Sequence, residues 1–415
     1  MKKTLVALAA LAATSAFAQS FVTLSGRASM DVSTYQATGS TAGEASDLKN
    51  RVRVADTSSR ITFAAQEDLG GGTKAGVYCE TGINIDNGSS TGQADTNNAN
   101  TSTFCSREGR MYYGNNTAEV RLGRQNVWWT QGALNEVGST YLGADSATNL
   151  ENGGVGVYTV RGENMIKLAA NGDLGAFAGS EIYAGAMGMS GNAGSTNANG
   201  ESATAAKGVN ARYFGGKLLY TAGQYVAMWD HQNSTDAASV AASTTANTGS
   251  VGLNSFNRTA NKVGLGFKYT PDSMVSLQYW AKSRTDVTTA GATYVTMFSA
   301  GASKANVTSA GNAKDSGYAL VVKHALGGGL TLHGQYAKAN NITASGVTQD
   351  DTGAKAYTLG LTKAVSKRTH FYTAYHVINN QANAAYNMTG GNYASGTSRT
   401  GADIKQVAFG MIHNF

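Results

Sequence analysis

Several charged side chains in this sequence lie inside segments in which polar and apolar residues alternate. Arg60 and Thr62, for example, alternate with Ile61 and Phe63. Successive side chains of a β-strand point to opposite faces, so this alternation places the charge on a polar face and the apolar groups on the other. Basic groups on one face act at a distance, because their field attracts counter-ions and orients dipolar solutes. The chemistry that this pattern favours is electrostatic, with no bond made or broken.

Two further segments repeat this arrangement. Lys74 and Glu80 have the parity opposite to that of Val77, which places both charges on a polar face. In the second segment, Ile166 and Leu168 share the apolar face. The opposite parity there belongs to Arg161, Glu163, Met165 and Lys167. The sequence thus predicts three strands that each carry charged side chains on one face.

Catalytic and cofactor chemistry is not favoured. The sequence contains 6 His, and none of them has the spacing of a metal ligand with an acidic partner. His231 lies near several serines, but serine is so frequent here that this proximity does not indicate a Ser–His pair. Gly71–Gly72 lacks the strand–loop–helix context of a phosphate site. We therefore expect no enzymatic activity, no metal and no cofactor.

The composition indicates which kind of element carries the charges. Of the 415 residues, 14% are charged, compared with about 25% in soluble domains. The mean hydropathy of −0.24 argues against a bundle of apolar membrane helices. The aromatic residues (20 Tyr, 12 Phe and 4 Trp) are spread along the chain, which argues against disorder. Few charges, many small polar residues and scattered aromatics favour strands with one apolar and one polar face.

The first 18 residues have the features of an export signal. Lys2 and Lys3 form a basic region, and Leu5–Ala13 is a short apolar region. Ala16–Ala18 provides a small-x-small site, so we expect cleavage before Gln19. The apolar run is far shorter than the ~20 residues that a spanning helix needs. Removal of this segment lowers the formal net charge from +6 to +4, an excess too small and too diffuse to indicate nucleic-acid binding.

After this segment the sequence repeats one unit, in which a tight turn joins two alternating segments and a long polar insertion follows. In the last such segment, Val407 and Phe409 alternate with Ala408 and Gly410. Tight turns are predicted at Asp68–Gly72, Asn115–Ala118, Gly215–Gly216, Pro271–Ser273, Leu326–Gly329 and Val365–Arg368. Long insertions are predicted at residues 36–56, 86–103, 126–160, 189–206, 231–258, 286–314, 341–353 and 381–401.

Short turns at one end and long loops at the other are typical of outer-membrane barrels. Lipid offers no hydrogen-bond partners, so strands that cross a bilayer must close into a ring. Eight long insertions predict about sixteen strands, and therefore an all-β, transmembrane antiparallel β-barrel over residues 19–415. A barrel of this size encloses water rather than side chains alone. A soluble solenoid would show a repeat of fixed length, and the sequence contains none.

The two cysteines, Cys79 and Cys105, flank a polar insertion at Asn84–Thr103. An exported chain reaches an oxidising compartment, where the two thiols could pair and tie the base of that loop. Strand parity does not clearly place both side chains on one face, so two reduced thiols remain the alternative.

Three stretches of the sequence carry a resemblance to a known family. Ser59–Glu80 contains Ser-Arg, Glu-Asp-Leu-Gly-Gly-Gly and Lys-Ala before a final Glu. Arg107–Gln125 ends in Val-Arg-Leu-Gly-Arg-Gln, and the C-terminal part contains Ser366–Tyr372 and Gly410–Phe415. These stretches resemble signatures of Gram-negative general porins of the β-proteobacterial type. From about residue 173 to 355, the chain is similar to the family only in pattern.

The resemblance implies a homotrimer of sixteen-stranded barrels, each a water-filled pore narrowed by its third long loop, here residues 126–160. It also implies a basic ladder on the pore wall at Arg60, Arg107 and Arg161. Arg110 has the other parity from Arg107 and could take its place. The remaining pore candidates are Lys74, Lys167, Arg121, Arg124, Glu136, Asp145 and Glu151. The terminal Phe415 matches the residue that the barrel-assembly machinery recognises in such proteins.

The function implied is passive, cofactor-free diffusion of ions and small hydrophilic solutes across the cell outer membrane, with a mild anion preference. The expected partners are outer-membrane lipid, lipopolysaccharide, the barrel-assembly machinery, two further copies of the chain, and small solutes and anions. Nucleic acid is not expected as a partner. Two alternatives stay open: a substrate-specific outer-membrane channel, and a plugged barrel with a structural or adhesin role.

Overall fold

The structure is a computed structural model. It describes residues 21–41, 43, 47–86, 104–127, 149–151, 161–186, 212–238, 254–287, 312–344, 346–388 and 400–415. The signal peptide predicted at residues 1–18 lies outside the described residues, as does most of the loop predicted at 126–160.

Nineteen strand segments occur in the described part of the chain, and they form one continuous sheet. Two of these segments are collinear, because β1 pairs with both: Met30 lies opposite Asp56, and Arg27 lies opposite Arg60. We therefore treat them as one wall strand, β2. Two further segments, Thr343–Ala344 and Val347–Thr348, form a small hairpin outside the wall.

This leaves sixteen wall strands. They are β1 Phe21–Thr38, β2 Leu48–Asp56 with Arg60–Gly70, β3 Thr73–Gly82, β4 Glu108–Gly114, β5 Ala118–Asn126, β6 Arg161–Ala170, β7 Glu181–Ala186, β8 Arg212–Ala222, β9 Tyr225–Ala238, β10 Asn254–Thr270, β11 Ser273–Val287, β12 Asn312–Gly327, β13 Leu330–Ala339, β14 Ala354–Ala364, β15 Thr369–Asn380 and β16 Asp403–Asn414.

The sheet closes on itself. Each wall strand pairs antiparallel with the next one along the chain, and β16 pairs antiparallel with β1 from Arg27 opposite Asn414 to Thr38 opposite Asp403. Closure leaves no unpaired edge, which is the condition for a sheet that spans a bilayer. The predicted all-β antiparallel barrel of about sixteen strands is therefore confirmed.

The two faces of the wall differ as the alternation predicts. In β16, Val407, Phe409 and Met411 are exposed on the outside, whereas Ala408 and Ile412 are buried on the inside. The same apolar outer face recurs around the barrel, and its exposed side chains contact lipid. None of the helical segments in the described residues is long and apolar enough to span a bilayer.

Some predicted boundaries were wrong. The turn expected at Gly215–Gly216 lies inside β8, and the chain instead turns at Gly223–Gln224, where Gly223 has a positive φ of 56°. The insertions expected at 36–56 and 231–258 are shorter, because their polar ends continue the strands. The turn after β6 contains a 3₁₀ helix, Gly172–Phe177, that the sequence pattern did not indicate.

Glycines inside strands make room for aromatic rings. A methyl group on Gly185 would lie 2.8 Å from a ring carbon of Tyr213, and one on Gly317 would lie 2.6 Å from a ring carbon of Trp280. Gly215 stands in the same relation to Tyr183. Glycine in a strand commonly marks such a close approach, so Gly215 is a packing residue rather than a turn residue.

The barrel seam uses the same device. Gly26 and Phe415 exchange two backbone hydrogen bonds, of 2.9 and 3.0 Å, next to the strand pair that closes the barrel. The Phe415 ring lies over Gly26, where a methyl group would overlap the ring and lie 2.6 Å from the carbonyl oxygen of Arg60.

A Gly26→Val substitution should therefore weaken closure. We expect overpacking to reduce the free energy of unfolding by about 1–3 kcal/mol. Urea unfolding, followed by the gel mobility of the folded barrel, measures this. Gly334→Val is the matched control, because Gly334 is also a strand glycine but has no atom within 4 Å of the added methyl group. Equal loss of stability in both variants would contradict the packing role.

Candidate functional site

The inner face of β2–β6 carries a network of arginines around one carboxylate. Arg107 Nε lies 2.6 Å from Glu80 Oε1, and Arg60 Nε lies 3.4 Å from Glu80 Oε2. The charge of Arg161 also acts on Glu80. Two arginines that are distant in the sequence therefore pair with one acidic side chain on the inside of the barrel, and a third lies within electrostatic range.

Two neighbouring groups extend this network along the wall. Arg110 forms an ion pair with Glu108. Arg121 forms one with Glu119, whose other oxygen lies 3.8 Å from Lys74 Nζ. Arg60, Lys74 and Arg121 keep 23–31% of their side-chain surface exposed. Their charges therefore still act on the barrel interior.

We call this set of inward-facing basic residues the basic wall. Arg124 is not part of it: β5 pairs Arg124 with Gly109, on the face that carries Met111 and Leu122, and its Nε donates a 2.9 Å hydrogen bond to the carbonyl oxygen of Ser106. The basic wall consists of Arg60, Lys74, Arg107, Arg110, Arg121 and Arg161. Its acidic partners are Glu80, Glu108 and Glu119. Asp68 of β2, opposite Lys74 in β3, is a fourth acid on this face, so six basic against four acidic side chains leave a formal excess of two positive charges.

A disulfide bond joins Cys79 and Cys105, with 4.7 Å between their Cα atoms. Cys79 precedes Glu80 in β3, and Cys105 lies two residues before Arg107, just outside β4. The backbone N–H of Arg107 donates a 2.9 Å hydrogen bond to the carbonyl oxygen of Glu80. The disulfide therefore fixes the end of the loop directly beside the Arg107–Glu80 ion pair.

Lys167 faces the inside of β6 but is not part of the basic wall. Its side chain is only 2% exposed, and its Nζ lies 3.0 Å from Glu181 Oε1. It also donates a hydrogen bond to the carbonyl oxygen of Asn126. The carboxylate of Glu181 compensates the charge of Lys167, because the two side chains are buried together as an ion pair.

The described residues of the third loop lie inside the barrel. Asn149–Glu151 are helical, and Glu151 Oε1 lies 2.9 Å from Nζ of Lys262, an inward-facing residue of β10. Nζ of Lys282 in β11 donates to the carbonyl oxygen of Glu151. The loop leaves the wall at β5, so these contacts show that it extends across the interior to β10 and β11. Glu136 and Asp145 lie outside the described residues.

The start of the eighth loop, residues 381–388, also folds inwards, although the sequence predicts a polar insertion at 381–401 with no inward course. Tyr386 is 1% exposed and shares an apolar cluster with Leu150 of the third loop and Trp280 of β11. The hydroxyl of Tyr35 donates a 2.9 Å hydrogen bond to Oδ1 of Asn387. The composition of this segment resembles that of the other polar loops, so only its position in the fold identifies it.

The chemistry available to this site is electrostatic. Within the described ranges, no group of three or more His, Cys, Asp or Glu side chains is arranged to hold a metal ion. The basic wall instead offers guanidinium groups on adjacent strands, with two tyrosine rings between them. Such a surface attracts anions, and a low-dielectric wall concentrates its field.

A closed barrel of sixteen strands with an apolar outside and a charged inside defines the class of outer-membrane β-barrel proteins. Comparison with known families places it more narrowly. The family described as "Gram-negative porin" matches residues 4–341. The chain belongs to the Gram-negative porin family, and its location is the outer membrane.

Relatives and solved structures agree with this assignment. The chain is 41% identical over 85 residues to the major outer membrane protein P.IB of Neisseria gonorrhoeae. These residues make up 20% of this chain and 24% of that protein. The match to the Neisseria lactamica protein of that name is 43% over 75 residues, covering 18% and 22%. The chain thus spans less than a quarter of the curated relatives it matches.

The fold is similar to that of an anion-selective porin from Comamonas acidovorans, with a TM-score of 0.67, 21% identity, and coverage of 96% of this chain and 100% of that one. It is also similar to the trimer form of OmpT from Vibrio cholerae, with a TM-score of 0.58, 10% identity, and coverage of 95% and 99%. At identities of 21% and 10%, the similarity to these two structures shows a shared fold and no more.

Removing the disulfide should loosen Arg107. In a Cys79→Ser, Cys105→Ser variant we expect a loss of about 3 kcal/mol of stability, because the unfolded chain regains the freedom of the closed loop. Hydrogen exchange of a peptide covering residues 104–110 should become faster, while a peptide from β15 should not change. Unchanged exchange at 104–110 would show that β-pairing alone holds Arg107.

Breaking the Lys262–Glu151 pair should release the third loop from the wall. Lys262→Met removes the ammonium group that pairs with the buried Glu151 carboxylate, which costs about 3–5 kcal/mol and favours detachment of the loop. We expect a larger and noisier single-channel current. Lys268→Met, on the same face of β10 near the short-turn end, is the control. Identical currents in both variants would contradict the tether.

Proposed function

We propose that this protein is a general diffusion porin, which moves ions and small hydrophilic solutes passively and has a mild anion preference. The observation that carries the proposal is the basic wall, which leaves two excess positive charges on the inner face of a sixteen-stranded barrel. The name of the similar Comamonas acidovorans protein, an anion-selective porin, also supports it.

The size and charge of the barrel account for this function. About sixteen strands enclose an aqueous channel, since side chains alone do not fill a ring of that circumference. Solutes that enter pass the basic wall, where the low-dielectric surroundings strengthen its field. Anions are therefore enriched, whereas the four acidic side chains on this face moderate the effect and keep the preference mild.

We assign the narrowing of the pore to the loop at 126–160. The ion pair between Glu151 and Lys262 supports an inward course of this loop. The selectivity residues would be Arg60, Arg107 and Arg161, with Arg121 and Lys74 beside them. Glu136 and Asp145 remain our candidates for acids opposite the basic wall.

The finer assembly also belongs to this proposal. We expect export after cleavage before Gln19, recognition of Phe415 by the barrel-assembly machinery, and a homotrimer surrounded by lipid and lipopolysaccharide. The trimer form of the structurally similar Vibrio cholerae protein supports the oligomer. We expect no enzymatic activity, and the protein needs no cofactor for diffusion through an open channel.

A plugged barrel is the second candidate. The inward course of residues 381–388, together with buried Leu150, favours it, because both fill part of the interior. Single-channel recording separates the two candidates. A porin shows conductance steps in groups of three, whereas a plugged barrel shows almost none.

Reversal potentials in a KCl gradient test the anion preference. The unmodified protein should prefer Cl⁻, and Arg107→Gln should move the reversal potential towards zero because it lowers the charge excess from two to one. Arg368→Gln, in an exposed turn between β14 and β15, is the control and should have no effect. Clear cation preference of the unmodified protein would overturn the proposal.

A further inference from the structure

Two tyrosines interrupt the basic wall at regular positions. On the inner face, Tyr112 of β4 pairs directly with Arg121 of β5 on one side and with Gly76 of β3 on the other. One row along, Tyr78 pairs with Arg110 in the same way. Rings and guanidinium groups therefore alternate on adjacent strands of a single surface.

The Tyr112 ring lies flat against the wall. A methyl group built on Gly76 would lie 2.5 Å from the Cζ atom of this ring, so one ring face covers the glycine. The hydroxyl donates a 3.0 Å hydrogen bond to Oε1 of Gln66 in β2, which holds the ring across β3. The ring is only partly buried, and its other face is turned to the barrel interior.

Cationic groups surround this platform. Arg121 is its direct cross-strand neighbour, and Lys74 shares the carboxylate of Glu119 with Arg121. Arg110 lies in the next row, with its guanidinium carbon 4.0 Å above the centre of the Tyr78 ring, in a cation–π contact. An aromatic face beside several positive charges is complementary to a ligand that has both an aromatic ring and an anionic group.

We propose that Tyr112, Arg121 and Lys74 form a subsite for small aromatic carboxylates. The ring of the solute stacks on Tyr112, and its carboxylate is held by Arg121 and Lys74. This inference rests on the proposed passage of anions through the barrel, and it adds a preferred chemical class to that function. A simple inorganic anion uses the charges only, whereas an aromatic carboxylate also gains the ring contact.

The test compares two anions of equal charge and similar size. Benzoate and cyclohexanecarboxylate are added at increasing concentration to single channels in KCl, and the concentration for half-block is recorded. Benzoate should block at about threefold to tenfold lower concentration, since only its flat ring can stack. Equal block by the two anions would overturn the subsite, and this comparison requires no variant.

Variants locate the effect. Tyr112→Leu should remove the preference for benzoate, and Tyr112→Phe should keep it, because the ring remains. Tyr375→Leu, which alters an exposed tyrosine on the outer face of β15, is the matched control and should leave both block and KCl conductance unchanged. A benzoate preference that survives Tyr112→Leu would contradict the assignment.

The KCl reversal potential of the unmodified protein reports the proposed function separately. Cation preference there would overturn the anion-selective porin, whatever the benzoate result. Anion preference with equal block by both carboxylates would leave the porin intact and overturn only the subsite.

Discussion

The constraint on which the structure depends is that every backbone N–H and C=O group within lipid needs a partner in the chain. The antiparallel pairing of β16 with β1 meets this constraint, because it removes the two edges that an open sheet would expose. Closure of sixteen strands then determines the rest. It sets the circumference of the barrel and separates a lipid-facing surface from an inner surface. Each side chain of a strand then points to one of these two surfaces.

That separation explains how a chain with few charges can concentrate them. Side chains with outward parity are apolar, as Phe409 and Met411 show, so most charged groups of the described strands are gathered on the inner face. The basic wall is not bare charge, however. Glu80 and Glu119 each hold two basic groups in place, which fixes long side chains on the wall while leaving a positive excess.

The sequence was sufficient to predict the features that follow from the two-residue alternation of side chains along a strand. It predicted the barrel, its strand number, and the inward parity of Arg60 and Lys74. The sequence did not predict features that depend on packing between segments distant along the chain. Gly215 was interpreted as a turn residue because its contact with Tyr183 cannot be seen along the chain. The partner of Glu151 could not be predicted for the same reason, since Lys262 is 111 residues away.

The placement of glycines beneath inward-facing rings has a geometric consequence for the channel. A ring that lies flat on the backbone of the next strand adds little thickness to the wall, whereas a side chain beneath it would tilt the ring towards the axis. The glycine opposite Tyr112 therefore keeps this ring close to the wall in a barrel of fixed circumference. Replacing it would leave the number of strands unchanged and make the passage narrower at this point.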